Sequence, residues 1–137
     1  MGAPTPEAIA DHAGGGVKAD TGKPPVGLIP RSALMAEARV LDFGAKKYAR
    51  HNWRKGMLWS RLGDAALRHL LAWLDGEDID PETGESHLAH LRACSGFLIE
   101  YQERGLGEDD RFKQDRSHTS LTPNIPIGVP SIQKTPT

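Results

Sequence analysis

Three histidines fall where the apolar pattern of two helices expects core residues. His69 has Ala65 and Ala66 one turn before it and Ala72 and Trp73 one turn after, the buried stripe of an α-helix. His87 and His90 are three residues apart and share a face with Cys94, Phe97 and Tyr101. Between the two helices runs GEDIDPETGE, in which Glu77 and Asp80 are again three apart. One buried histidine is ordinarily a hydrogen-bonded core residue. Three of them beside a carboxylate loop suit a site for a divalent ion. Magnesium and manganese take oxygens from Asp and Glu, and manganese also accepts imidazole. Glu37 falls on the inner face of the preceding helical stretch, where a carboxylate is costly unless it meets a cation, a metal or several donors. Glu37, Glu77, Asp80, His87 and His90 are therefore the candidate metal ligands, and Glu37, Glu77 and His69 the candidate catalytic groups.

Positive charge is concentrated elsewhere. Lys18 and Lys23 lie in the proline-rich run VKADTGKPPVGLIP, and KKYARHNWRKG places Lys46, Lys47, Arg50, Arg54 and Lys55 around Asn52 and Trp53. Such clusters are ordinarily solvated, but the interleaved Tyr48 and Trp53 leave room for a base or phosphate contact. Lys23, Lys46 and Arg68 are the candidate phosphate contacts, and Asn52 and Trp53 the candidates for a base. Carboxylates and imidazoles together with lysines and arginines match what a metal–polyphosphate ligand requires.

The elements that must position these groups can be read from caps and periodicity. Ser32 is the expected N-cap of a first helix over 33–48, Ser60 that of a second ending at Gly76, and Ser86 that of a third over 87–104 that stops at Gly105. Pro24, Pro25 and Pro30 favour an extended lead-in. Residues 1–16 read as a flexible arm, 17–107 as the helical domain, and 108–137 as a charged, then Pro-, Thr- and Ser-rich tail. The expected fold is all-α: an antiparallel helical bundle whose second and third helices are apolar over so wide an arc that oligomerisation completes it. Short connections predict consecutive helices to be antiparallel. Glu37 and the histidines then meet at one end, with Lys46–Lys55 roughly 24 Å away along the second helix.

Composition excludes several classes. The chain has 137 residues, a net charge of −1 and a pI near 6.6, which give no reason to expect a nucleic-acid partner. A single cysteine excludes an intrachain disulfide. No apolar run is long enough for a membrane span, and the N-terminus lacks the shape of a signal peptide. A soluble, cytoplasmic, single-domain protein is expected.

Three runs, GKPPVGLIP, LDFGAKKYARHNWRKG and RHLLAWLDGEDIDPETGESHLAHL, together resemble the phage dATP/dGTP diphosphohydrolases (MazZ-like proteins), which are similar to the MazG-type all-α nucleoside triphosphate pyrophosphohydrolases. The resemblance covers Lys18 to Tyr101. It implies a helical bundle assembled as a dimer or tetramer. It also implies Mg2+- or Mn2+-dependent hydrolysis between the α and β phosphates of a purine deoxynucleoside triphosphate, giving the monophosphate and pyrophosphate. The MazG pattern of EExxE on one helix and ExxD on the next is not reproduced. This chain offers Arg68 and His69, then His87 and His90, and only Glu77 and Asp80 keep an ExxD spacing. Two other readings stay open: an HD-like phosphohydrolase, favoured by the histidines but lacking a His-Asp dipeptide, and a non-catalytic module that binds nucleotide or nucleic acid through Lys46–Lys55.

Overall fold

The computed structural model describes residues 8–114; residues 1–7 of the expected arm and 115–137 of the expected tail lie outside them. The architecture is mostly helical: α1 (Arg31–Tyr48), α2 (Trp59–Leu74) and α3 (His87–Arg104), preceded by a small antiparallel ribbon of β1 (Ile9–Ala10) and β2 (Val17–Lys18). In the ribbon Ile9 pairs with Lys18 and Ala10 with Val17, so paired backbone forms in a stretch that showed no apolar period. The prolines keep the following segment out of α-helix apart from a 3-10 turn at Val26–Leu28.

The third helix has the expected ends. Ser86 Oγ accepts the Leu88 N–H at 3.1 Å, and Gly105 takes the left-handed conformation that closes the last turn. The other two helices differ. Helix α1 begins directly after Pro30 rather than after Ser32, because the fixed φ of proline leads into a helix without a side-chain cap. Helix α2 begins at Trp59 and ends at Leu74, two residues before Gly76. Ser60 is not its N-cap; its N–H and hydroxyl both donate to Asp110, at 2.9 and 2.5 Å. A carboxylate from beyond α3 thus meets the first turn of α2, where the orphan N–H groups and the helix dipole favour negative charge. The same segment is tied down by Trp59 Nε1, which donates to the Leu106 carbonyl at 2.9 Å, and by the Glu108 N–H, which donates to Met57 at 3.2 Å. Ordered packing therefore continues past residue 107.

Both α1 and α2 pack on α3, which is the central element. Val40 of α1 is buried against Ala89 and Ala93 of α3, with Ala36 beside them. Contacts along α1 run Glu37 to Arg92, Arg39 to Glu85 and Lys47 to Glu82, so α1 descends toward the start of α3. Along α2, Trp59 meets Leu106 and His69 meets His87, so α2 descends the same way. Each is antiparallel to α3, and the two run in the same direction. This corrects the expectation that α1 and α2 are antiparallel neighbours. Residues 49–58 cross back along α3, with Trp53 stacked on Phe97 at 4.4 Å and Tyr101 donating its hydroxyl to the Trp53 carbonyl. The connection 49–58, which includes a 3-10 turn at Asn52–Lys55, is longer than the tight turns that make neighbouring helices antiparallel, so the short-loop rule does not bind here. Among the described residues, no helix is long and apolar enough to cross a membrane.

Candidate functional site

The loop between α2 and α3 is closed by its own backbone. Glu77 N–H donates to Ala72 at 3.0 Å, Asp80 N–H to Glu85 at 2.8 Å, and His87 N–H to Asp78 at 3.0 Å. Ile79 and Ser86 form an isolated antiparallel bridge, and Gly84, at φ +72°, makes the reversal between them. This fold-back turns Asp80 inward, so its side chain is only 13% exposed. Its Oδ1 accepts the Glu82 N–H at 3.0 Å, which fixes the carboxylate, and its Oδ2 lies 3.3 Å from His90 Nε2.

The last turns of α2 bring His69 against the first turn of α3. The rings of His69 and His90 stack with centroids 4.3 Å apart and planes within 6°. His69 Nδ1 lies 2.9 Å from His87 Nδ1, and His87 Nε2 lies 2.7 Å from Glu77 Oε1. His87 is the buried member, while Glu77 reaches the surface. Thr83 Oγ1 sits 2.7 Å from His90 Nε2 and also accepts the Glu85 N–H at 3.2 Å. Burial pushes the His69 and His90 imidazoles below their ordinary range; for His69 the neighbouring His90 adds to the effect, and for His90 the Asp80 carboxylate opposes it. Neutral rings carry the lone pair that a metal ligand needs.

One donor atom from each of His69, Asp80 and His90 falls within 4.8 Å of the others. Two imidazoles and a carboxylate fit a divalent ion that accepts nitrogen, as manganese does; magnesium, which takes oxygen donors, meets only Asp80 in this set.

Of the residues singled out in the sequence, His69, Glu77, Asp80, His87 and His90 come together. Glu37 stands apart: Arg92 holds it at 3.0 Å, and its Oε1 faces Gly96, midway along α3. Lys46 and Lys47 lie at the histidine end, not the far one. Lys47 pairs with Glu82 at 2.9 Å, and Lys46 lines a hollow with Thr83 and Glu85 while paired to Asp42 at 2.8 Å. The 24 Å separation expected between the basic and acidic clusters therefore does not apply to these two lysines. Arg68 lines a hollow of about 350 Å3 with Met57, Arg61 and Asp64, directly after which the chain turns His69 inward. Trp53 has Phe97 on one side and the Arg54 guanidinium 4.4 Å from its ring centroid, and Asn52 is half-buried next to it. Lys23 sits in an exposed turn closed by its N–H on the Asp20 carbonyl. Thr83 and Arg61 carried no signal by type or spacing; both are found only once the loop and α2 are folded.

Comparison with known proteins then decides the family. A family model described as dATP/dGTP diphosphohydrolase, N-terminal, matches residues 13–111. The chain belongs to this family. A dATP/dGTP diphosphohydrolase of Salmonella phage PMBT28 is 36% identical over 121 residues, covering 88% of this chain. The chain spans about two fifths of that relative, 40% of its length. No solved structure matches it. The stretch matched to the dATP/dGTP diphosphohydrolase N-terminal family contains every element described above from β2 through α3, together with the segment that caps α2.

Proposed function

We propose that this chain hydrolyses purine deoxynucleoside triphosphates, dGTP or dATP, to the monophosphate and pyrophosphate in a metal-dependent reaction. The observation that carries the reading is the convergence of His69, Asp80 and His90 at the end of α3 where Lys46 also lies, with the Arg68 charge close enough to act on His69. The family membership and the name of the phage relative support the substrate class. A divalent ion bound there, manganese before magnesium, supplies charge neutralisation and a lowered pKa for its water. His69, Asp80 and His90 would hold it. Arg68 and Lys46 would take the phosphate oxygens as charge-assisted donors. Water adds at the α-phosphorus, the bridging bond to the β-phosphate breaks, pyrophosphate leaves, and one proton is released.

We also propose a homo-oligomer, dimer or tetramer, built as a MazG-like bundle. Leu67, Leu71 and Leu74 follow one another on α2 at helical spacing and are 53%, 50% and 63% exposed, a run of apolar surface that a second copy would cover. The test of the activity is product analysis with dGTP and dATP in Mn2+ and Mg2+. Release of inorganic triphosphate would favour the HD-like reading, and no turnover would favour a nucleotide-binding module.

A further inference from the structure

The ion site has a back wall. Behind His69 stands His87, buried, and behind His87 stands Glu77, forming one line of contacts: Glu77 Oε1 to His87 Nε2 at 2.7 Å, then His87 Nδ1 to His69 Nδ1 at 2.9 Å. A carboxylate can only accept, so His87 places its proton on Nε2 toward Glu77. In the neutral ring Nδ1 then carries a lone pair, and the short contact is satisfied when His69 donates from its own Nδ1. That leaves Nε2 of His69 unprotonated, and among the described residues it has no hydrogen-bond partner. The other two members of the cluster are held independently, Asp80 by the Glu82 N–H and His90 by Thr83.

We infer that Glu77 and His87 are positioning residues that fix the tautomer and orientation of His69, so that its Nε2 is presented to the ion held with Asp80 and His90. The inference rests on the metal-dependent reading above and assigns Glu77 and His87 a place behind the ion rather than on it. The general physics is that of outer partners of a metal-bound histidine, which set the ring's orientation and basicity and whose loss costs roughly 10- to 100-fold in ion affinity. His87 suits this part because it is buried and fully occupied by its two neighbours. Glu77, whose side chain is 54% exposed, can be replaced with little damage to packing.

The test uses metal-free, full-length protein labelled with 15N-histidine at about pH 8, above the ordinary imidazole range. Long-range 1H–15N spectra report which ring nitrogen carries each proton. Wild type should show His69 protonated at Nδ1, and Glu77→Ala should convert it to a mixture of tautomers. Calorimetric titration with Mn2+ should show affinity falling about 10-fold or more in Glu77→Ala. Glu77→Gln, whose amide oxygen still accepts from His87, should keep most of it, and Asp78→Ala on the same loop should stay near wild type. A His69 proton on Nε2 in wild type, or unchanged Mn2+ affinity in a folded Glu77→Ala, would overturn the inference alone. Wild-type protein that takes up no Mn2+ would instead overturn the metal-dependent reading beneath it.

Discussion

His90 Nε2 and Asp80 Oδ2 stand 3.3 Å apart, each on a side chain only 13% exposed, although ten residues and a chain reversal separate them in sequence. The pair lies beside His69, whose ring stacks on that of His90. Replacing Asp80 or His90 by alanine should lower kcat/KM for dGTP or dATP by about 100-fold or more if the pair holds the ion. Far-UV circular dichroism should stay unchanged. Near-wild-type turnover in either folded variant would remove that residue from the ion site.

Glu37 should behave differently. It meets Arg92 across the α1–α3 contact at 3.0 Å and lies away from the histidines. With Arg92 39% exposed, the pair is partly screened, and Glu37→Gln should cost no more than about 1 kcal/mol of stability. Turnover should stay within about 10-fold of wild type. A loss matching that of His90→Ala would return Glu37 to the set of ligands.

Acid should destabilise the fold through the half-buried imidazoles of His69 and His90. His69 and His90 are held below the ordinary value of 6.5, chiefly by burial. Below that pH the unfolded chain takes up protons that the folded chain refuses, so stability is full above about 6.5 and falls as pH drops, until the folded rings protonate as well. Melting temperature should be level from about pH 8 to 7 and decline toward pH 5. The double variant His69→Gln/His90→Gln should show a flatter decline, and an identical slope would contradict this account.

The segment after α3 makes a sharper stability prediction. Gly107 has φ +67°, and a Cβ there would strike the Met57 carbonyl, whereas Gly105, at φ +65°, opens into space. Gly105→Ala should cost about 1 kcal/mol for the left-handed backbone alone. Gly107→Ala adds a steric clash and should cost clearly more, with a larger drop in melting temperature. Equal effects would mean that the 106–110 segment does not hold α2 in solution.

Much of this arrangement was legible in the sequence, and what was not has a common cause. Three helices, the Ser86 cap and the Gly105 stop follow from local periodicity and capping, which act within a few residues, and the meeting of His69 with His87 and His90 follows from the short connection that folds α3 back on α2. The direction of α1 did not follow, because residues 49–58 are long enough either to turn or to cross the bundle, and nothing local chooses. The crossing is fixed by Trp53 on Phe97 and Tyr101, contacts between residues more than forty apart. The same holds for Ser60, whose partner Asp110 lies fifty residues on. The placement of Glu37 at mid-helix and of Lys46 at the histidine end both stem from that one crossing.

The most direct measurement is the phosphorus NMR spectrum of purified protein incubated with dGTP, and separately with dATP, in Mn2+ and after chelation by EDTA. The account predicts a deoxynucleoside monophosphate and pyrophosphate in equal amounts with Mn2+, no conversion in EDTA, and conversion restored by added Mn2+. Inorganic triphosphate as the product, or equal turnover in EDTA, would contradict it.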